Sequence, residues 1–235
     1  MQMDVNQALL DACGEGSFDK VKLLLDCGAN VNFVDEYDNT ALSKACEFDH
    51  IEIVKLLLSY GAHVNKSGYT ALMAAAYNDT LCCVEMFEPK GEACSLEMVK
   101  LLLDHDADVD ATTEWNYTAL MAASLSGFFE IVKLLIDRGA DVNVVTENGY
   151  TALMYACFGG SFEVVQLLLQ QNVDVNIVNE NGYTVLMAAC ESGFIDIVKL
   201  LLEQGVNVNA VDKYGNTALM IAQNGKHGAV VELLL

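Results

Sequence analysis

Eight cysteines and four histidines are the residues of this 235-residue chain best suited to nucleophilic, redox or metal chemistry. Their placement argues against all three. Cys13, Cys46, Cys157 and Cys190 fall at one position of a recurring unit, where other copies carry Ala76, Ser124 and Gln223. A slot for a small residue explains them, because a free Cys packs as a small hydrophobe, and neighbouring units are expected to stand too far apart for a disulfide. That implies a reducing compartment, cytoplasm or nucleus, delivery into a host cell included. His50, His63, His105 and His227 occupy unlike positions, none at helical spacing from a cysteine or carboxylate set. Cys82, Cys83 and Cys94 suggest a redox pair or a partial metal site but lack a fourth ligand. The repeated Asp-Val-Asn phrases lack the ligand density of a calcium loop. With no glycine-rich phosphate loop either, the chain is expected to have no catalytic residues, no metal and no cofactor, and not to be an enzyme.

The unit that spaces these residues is about 33 residues long. Thr40, Thr70, Thr118, Thr151, Thr184 and Thr217 each open a Thr-Ala/Val-Leu phrase, at spacings of 30, 48, 33, 33 and 33, and Gln7-Ala8-Leu9-Leu10 opens one more copy. A fixed period in this range signals a solenoid, in which each unit is completed by its neighbours. Within a unit, Thr suits the N-cap of an Ala-rich inner helix. An outer helix such as Phe129 to Ile136 follows, with a wide apolar stripe and with Lys133 and Asp137 left for water. It ends at Gly28, Gly61, Gly139 or Gly205, where a left-handed turn is expected. Asp106 and Asn172 hold the same position in two copies, and these side chains best tolerate positive φ after Gly. A polar stretch then forms a projecting turn. The prediction is one all-α array over 1–235, with about 15 extra residues near 80–94 inside the third repeat and only four residues, Lys66 to Tyr69, in the turn before it.

The chain resembles the ankyrin-repeat family along essentially its whole length. The family phrase Gly-x-Thr-Pro-Leu-His-x-Ala is matched at Gly149-Tyr150-Thr151-Ala152-Leu153-Met154-Tyr155-Ala156, and Gly-Ala-Asp-Val-Asn at Gly139 to Asn143. Ala or Val replaces Pro, and Met, Ser or Leu replaces His, so a more apolar, less polar-networked seam is expected. The resemblance also accounts for His50 and His227, which stand where the family often has His at the start of the outer helix. It implies a rigid, monomeric protein-binding module with its ligand surface on a concave side, built from turn residues before the Thr and from the far ends of inner helices.

Carried onto this chain, that surface is rich in aromatic residues. Tyr69, Tyr117, Tyr150 and Tyr183 directly precede a Thr, and Tyr37, Trp115 and Tyr214 lie two residues earlier. The inner-helix ends bring Glu47, Phe48, Tyr77, Leu125, Phe158 and Glu191, and the turns carry Glu36, Glu114, Glu147 and Glu180. Tyr and Trp anchor protein interfaces. Two readings of the Tyr column stay open: contact with a partner, or closure of the turn by packing on its neighbour. Trp115, Phe48, Tyr77 and Phe158 break the repeat pattern, so partner contact is the expected role for them.

The formal net charge is −21, with only 12 Lys and Arg, which argues against nucleic acid as a partner and favours a basic protein or peptide, or serves solubility. No apolar run is long enough to span a bilayer, and Met1 to Asp4 lack the features of a signal peptide. Val231 to Leu235 end the chain without a polar cap, so a longer chain or a cover at this end is expected. The expected function is therefore protein binding, along a strip spanning the second to fifth repeats. The alternatives are a recruiting or targeting arm of a larger enzyme or host-directed effector, and a spacer scaffold without a ligand. The segment 80–94 reads as a tolerated insertion or as a partner-specific protrusion.

Overall fold

Thr40, Thr70, Thr118, Thr151, Thr184 and Thr217 all hold extended backbone just before a helix. The hydroxyl oxygen of each accepts from the backbone N–H three residues on, at 3.0 Å for Ser43 and 3.2 Å for Met73, Met121, Met154 and Met187. Helix starts are therefore local decisions, each worth about 1 kcal/mol. The computed structural model describes residues 5–65, 70–77 and 92–235. Tyr69, the shortened turn, and the insertion up to 91 with its Cys82 and Cys83 lie outside them.

Among the described residues there are fourteen helices and no extended strand. They fall into two compact units, Met1–Glu114 and Trp115–Leu235, each of which follows the predicted helix-turn-helix plan. The first unit holds α1 (Val5–Gly14), α2 (Phe18–Asp26), α3 (Ala41–Glu47), α4 (Ile51–Ser59), α5 (Ala71–Ala76) and α6 (Glu92–Leu103). There α1, α3 and α5 stack in order as inner helices, each joined to its own outer helix. The second holds α7 (Ala119–Ser126), α8 (Phe129–Asp137), α9 (Ala152–Gly159), α10 (Phe162–Leu169), α11 (Val185–Ser192), α12 (Ile195–Glu203), α13 (Ala218–Asn224) and α14 (Gly228–Leu234). Here α7, α9, α11 and α13 form the inner row and α8, α10, α12 and α14 the outer.

The inner helices other than α1 and α13 are buried almost all round. In α11 every residue from Val185 to Cys190 is buried, and the small Ala188, Ala189 and Cys190 with the unbranched Met187 suit close approach of neighbouring helices. Met replaces the family's His here, and Met73, Met121, Met154 and Met187 are core residues. The outer helices bury one stripe, Ile131, Val132 and Leu135 in α8, and leave Glu130, Lys133 and Asp137 at the surface.

Every outer-helix end that was expected to turn left-handed does so. Gly28, Gly61, Gly139 and Gly205 have φ of 87°, 81°, 92° and 73°, and Asp106 and Asn172 keep the same conformation at 61° and 57°. The Asn that closes the variant phrases Asn30-Val31-Asn32 and His63-Val64-Asn65 has a structural role. The Asn32 amide donates to Gly61 O (3.1 Å) and accepts from His63 N (2.7 Å), and Asn65 does the same with Asp106 O and Asp108 N, at 2.8 and 2.7 Å. Each Asn thus staples its repeat to the next, which satisfies backbone groups left open at a helix end.

A second left-handed column ends the inner helices at Gly127, Gly160 and Gly193. There the next repeat's outer helix comes close, so a Cβ on Gly160 would stand 2.2 Å from the Phe194 ring. Nothing lies within 4 Å of a Cβ built on Gly205. Both Gly160→Ala and Gly205→Ala should lose about 1 kcal/mol to the positive φ, and Gly160→Ala about 1–3 kcal/mol more to overpacking. Urea unfolding midpoints measure the difference, and equal losses would contradict this packing.

Candidate functional site

Between the helices, tight turns precede Thr40, Thr118, Thr151, Thr184 and Thr217. Single antiparallel bridges pair Val34 with Thr40, Val145 with Thr151 and Val178 with Thr184. The residue after the valine organises the tip. The Asp35 carboxylate accepts from the backbone N–H of Tyr37 (2.9 Å) and Asn39 (2.8 Å) and from the Asn39 amide (3.0 Å), and Asp212 repeats this with Tyr214 and Asn216. Where the fourth residue on is Tyr, a neutral side chain takes the role: Thr146 accepts from Tyr150 N, and Asn179 from Asn181 N and Tyr183 N, all at 2.9 Å. In the second unit the hairpins are also tied sideways. Glu147 N donates to Trp115 O (3.0 Å), Glu180 N to Asn148 O (3.2 Å) and Lys213 N to Asn181 O (2.7 Å). These bonds hold the tip side chains on a preformed frame.

Two kinds of aromatic result. Where the organiser is Asp, the ring sits at the tip and projects, with Tyr37 76% and Tyr214 75% exposed. Trp115 is 59% exposed at the equivalent tip position. Where the ring directly precedes Thr, it lies back on the inner helix. Tyr117 meets Tyr155 edge to face at 5.3 Å between centroids, and Tyr150 lies 6.0 Å from Tyr155, 6.1 Å from Phe158 and 6.5 Å from Tyr183. Phe158 and Tyr183 are near-parallel at 6.3 Å. All five rings are half-buried. Of the two readings of the Tyr column, packing on the neighbours is thus realised for Tyr117, Tyr150 and Tyr183, while part of each ring still meets solvent. Phe158, expected to stand outside that column, is instead packed into it, because it occupies the helix end over which the hairpin rings fold. Tyr155 was missed by sequence reasoning. Its signal was available: it is the only aromatic at a position that otherwise holds Lys44, Ala74, Ala122, Ala188 and Ile221.

The charged residues have defined places too. Tyr183 donates its hydroxyl to the Glu191 carboxylate, and burial, reinforced by that carboxylate, pushes the Tyr183 phenol well above its ordinary pKa, so it stays protonated. Glu36, Glu114, Glu147 and Glu180 are exposed at the hairpin tips, with Lys213 in the fifth. Lys213 lies 5.1 Å from the Tyr214 ring centre and also donates to Asn181 Oδ1. In the first unit Glu47 pairs with Lys44 at 2.8 Å, and Lys44 stands 6.0 Å from the Phe48 ring centre. Phe48 also covers Gly14 and stacks near His50. Tyr77 is half-buried at the end of α5.

Cys13, Cys157, Cys190, His50 and His227 have structural places. Burial pushes the Cys13 and Cys190 thiols up to about 12 and Cys157 higher still, so they are neither nucleophiles nor ready ligands. Nε2 of His50 lies 3.2 Å from Gly14 O and that of His227 2.8 Å from Glu191 O. A carbonyl only accepts, so each ring donates and links its outer helix to the preceding repeat. Among the described residues no group of three or more His, Cys, Asp or Glu could hold a metal ion, and no helix is long and apolar enough to cross a membrane.

Paired short helices stacked in two rows within each unit, with projecting hairpins, define a helical repeat protein. The chain belongs to the ankyrin-repeat family: the family model described as ankyrin repeats matches in three copies, over residues 9–92, 90–179 and 160–235. Such repeats are generally protein–protein interaction modules, and the family is typically non-catalytic. A search of curated proteins returned no match.

The hairpin carboxylates give the surface a pH dependence. Burial raises the pKa of Asp35, but hydrogen bonds from Asn39 and Tyr37 and the charge of Lys44 outweigh it and leave it below its ordinary value. Hydrogen bonds led by the Asn216 side chain lower Asp212. A depressed folded-state pKa contributes stability above the unfolded value of about 3.9 and loses it as pH falls through the folded one. The wild type should therefore exceed Asp212→Asn in urea midpoint at pH 6, with the gap closing below about pH 3.5. A gap independent of pH would contradict the role given to the carboxylate.

Proposed function

We propose that this chain is a protein-binding module whose contact face is the hairpin tips together with the far ends of the inner helices. The partner is a protein or peptide of basic character. The observation that carries this reading is the set of aromatic rings held on hydrogen-bonded hairpins and on α9: Tyr117, Tyr150, Tyr155, Phe158 and Tyr183 in a chain of contacts, with Trp115 and Tyr214 projecting from their own hairpins. Rigid aromatic side chains give large contact area at little ordering cost. The glutamates at the tips and the net charge of −21 favour a cationic partner and disfavour nucleic acid. The first unit carries residues of the same kind, Glu36, Tyr37, Glu47, Phe48 and Tyr77. The module acts as a monomer, and its buried thiols support a reducing compartment, cytoplasm or nucleus.

Affinity capture with mass spectrometry tests this, comparing the wild type with a Trp115→Ala, Tyr150→Ala, Tyr183→Ala triple variant whose helical circular dichroism is unchanged. A specific partner should be retained by the wild type, weakened at least about 30-fold by the variant, and released as salt is raised. Partners that bind both proteins equally would remove the reading.

A further inference from the structure

We propose that the surface formed by Tyr150, Phe158 and Tyr183, with Glu191 at its rim, receives an arginine side chain of the partner. This rests on the protein-binding reading above and names the chemistry of its central contact. The first support is what the molecule does with its own cations. Lys44 stands over Phe48 at 6.0 Å and Lys213 over Tyr214 at 5.1 Å, so aromatic rings of these hairpins and helix ends attract positive charge within the chain itself. Tyr150, Phe158 and Tyr183 form a larger ring surface, and among the described residues no cation of this chain covers it.

The second support is the state of Glu191. Its carboxylate is exposed, is oriented by the Tyr183 hydroxyl, and makes no ion pair among the described residues. A carboxylate offers about four acceptor positions, so one phenol leaves most of that capacity unused. Tyr183 spends its single O–H proton on Glu191, which leaves its lone pairs as acceptors. The result is a fixed carboxylate beside near-parallel rings only 6.3 Å apart between centres.

Arginine fits this arrangement and lysine fits it less well. The guanidinium is planar, so it lies on a ring face while its fork of N–H groups engages a carboxylate at the edge. It is also less strongly hydrated than an ammonium, so less is lost when it leaves water. Lysine brings a point charge that meets either the ring or the carboxylate well. Trimethyl-lysine has no N–H to give Glu191.

The test is a titration of the full chain, carrying ring-labelled tyrosine, with blocked Gly-Arg-Gly, Gly-Lys-Gly and Gly-trimethyllysine-Gly peptides, followed by NMR. The arginine peptide should shift the Tyr150 and Tyr183 ring signals saturably, and the lysine peptide should bind at least about fivefold more weakly. Glu191→Gln, with unchanged circular dichroism, should weaken arginine binding about tenfold. Equal binding of arginine and lysine, preference for trimethyl-lysine, shifts confined to other tyrosines, or indifference to Glu191→Gln would each overturn the proposal. If the arginine peptide fails while a captured partner still depends on Tyr150 and Tyr183, the arginine assignment falls and the protein-binding reading stands. If the peptide binds as expected but no captured protein depends on these rings, the arginine site stands and the protein-binding reading falls.

Discussion

Within each unit the inner helices are kept dry by the neighbours they stack on, and the other features of the molecule build on that dependence. Helices of six to eight residues such as α5 and α11 have too few internal hydrogen bonds to be stable alone in water. The same phrase, Thr-x-Leu-Met, shows how far burial is borrowed. Met187, with α13 packed beyond it, is fully buried, whereas Met220 in α13 itself is 47% exposed. A methionine of this kind contributes about 1.5–3 kcal/mol only when covered. The stability of a repeat is therefore a property of its neighbours as much as of its own residues.

Stacking at that distance constrains the backbone at both helix ends. The chain must reverse within a few residues after every outer helix, which the left-handed turn at Gly28, Gly61, Gly139 and Gly205 accomplishes and which Asp106 and Asn172 also tolerate. Asn32 and Asn65 then use the reversed segments as anchor points for the next repeat. The hairpins inherit this order. Because Glu147, Glu180 and Lys213 bond to the backbone of the hairpin before them, side chains at the tips are placed by main-chain geometry and not by their own packing. A surface arranged before its partner arrives loses little entropy on binding.

The candidate surface was readable in part. The column Tyr117, Tyr150 and Tyr183 and the glutamates of the tips follow from counting back from each Thr, since the period makes equivalent positions neighbours. The structure adds that rings directly before Thr fold back onto α9 and its neighbours while those two residues earlier project. With Asp35 or Asp212 an Asn completes the carboxylate's hydrogen bonds beneath a tip ring, whereas with Thr146 or Asn179 the Tyr backbone N–H takes that place. Tyr155 escaped notice because its position is otherwise filled by core or helix-face residues, and only the arrival of Tyr117 and Tyr150 from two different hairpins makes it part of the surface.

The amino-acid sequence alone determined the repeat, its helix starts at Thr, its left-handed ends and the family it belongs to, because all of these are local or periodic and leave their mark within one unit. It also determined the acidity and the small-residue slot that holds Cys13, Cys46, Cys157 and Cys190. Only the tertiary structure decided that Asn32 and Asn65 act as staples, that Phe158 joins the tyrosine column, and that Glu191 stands beside a partly exposed ring surface. Those relations join residues about 8 to 40 positions apart across separate elements, and their distances are set by how the repeats pack, a quantity no single repeat contains.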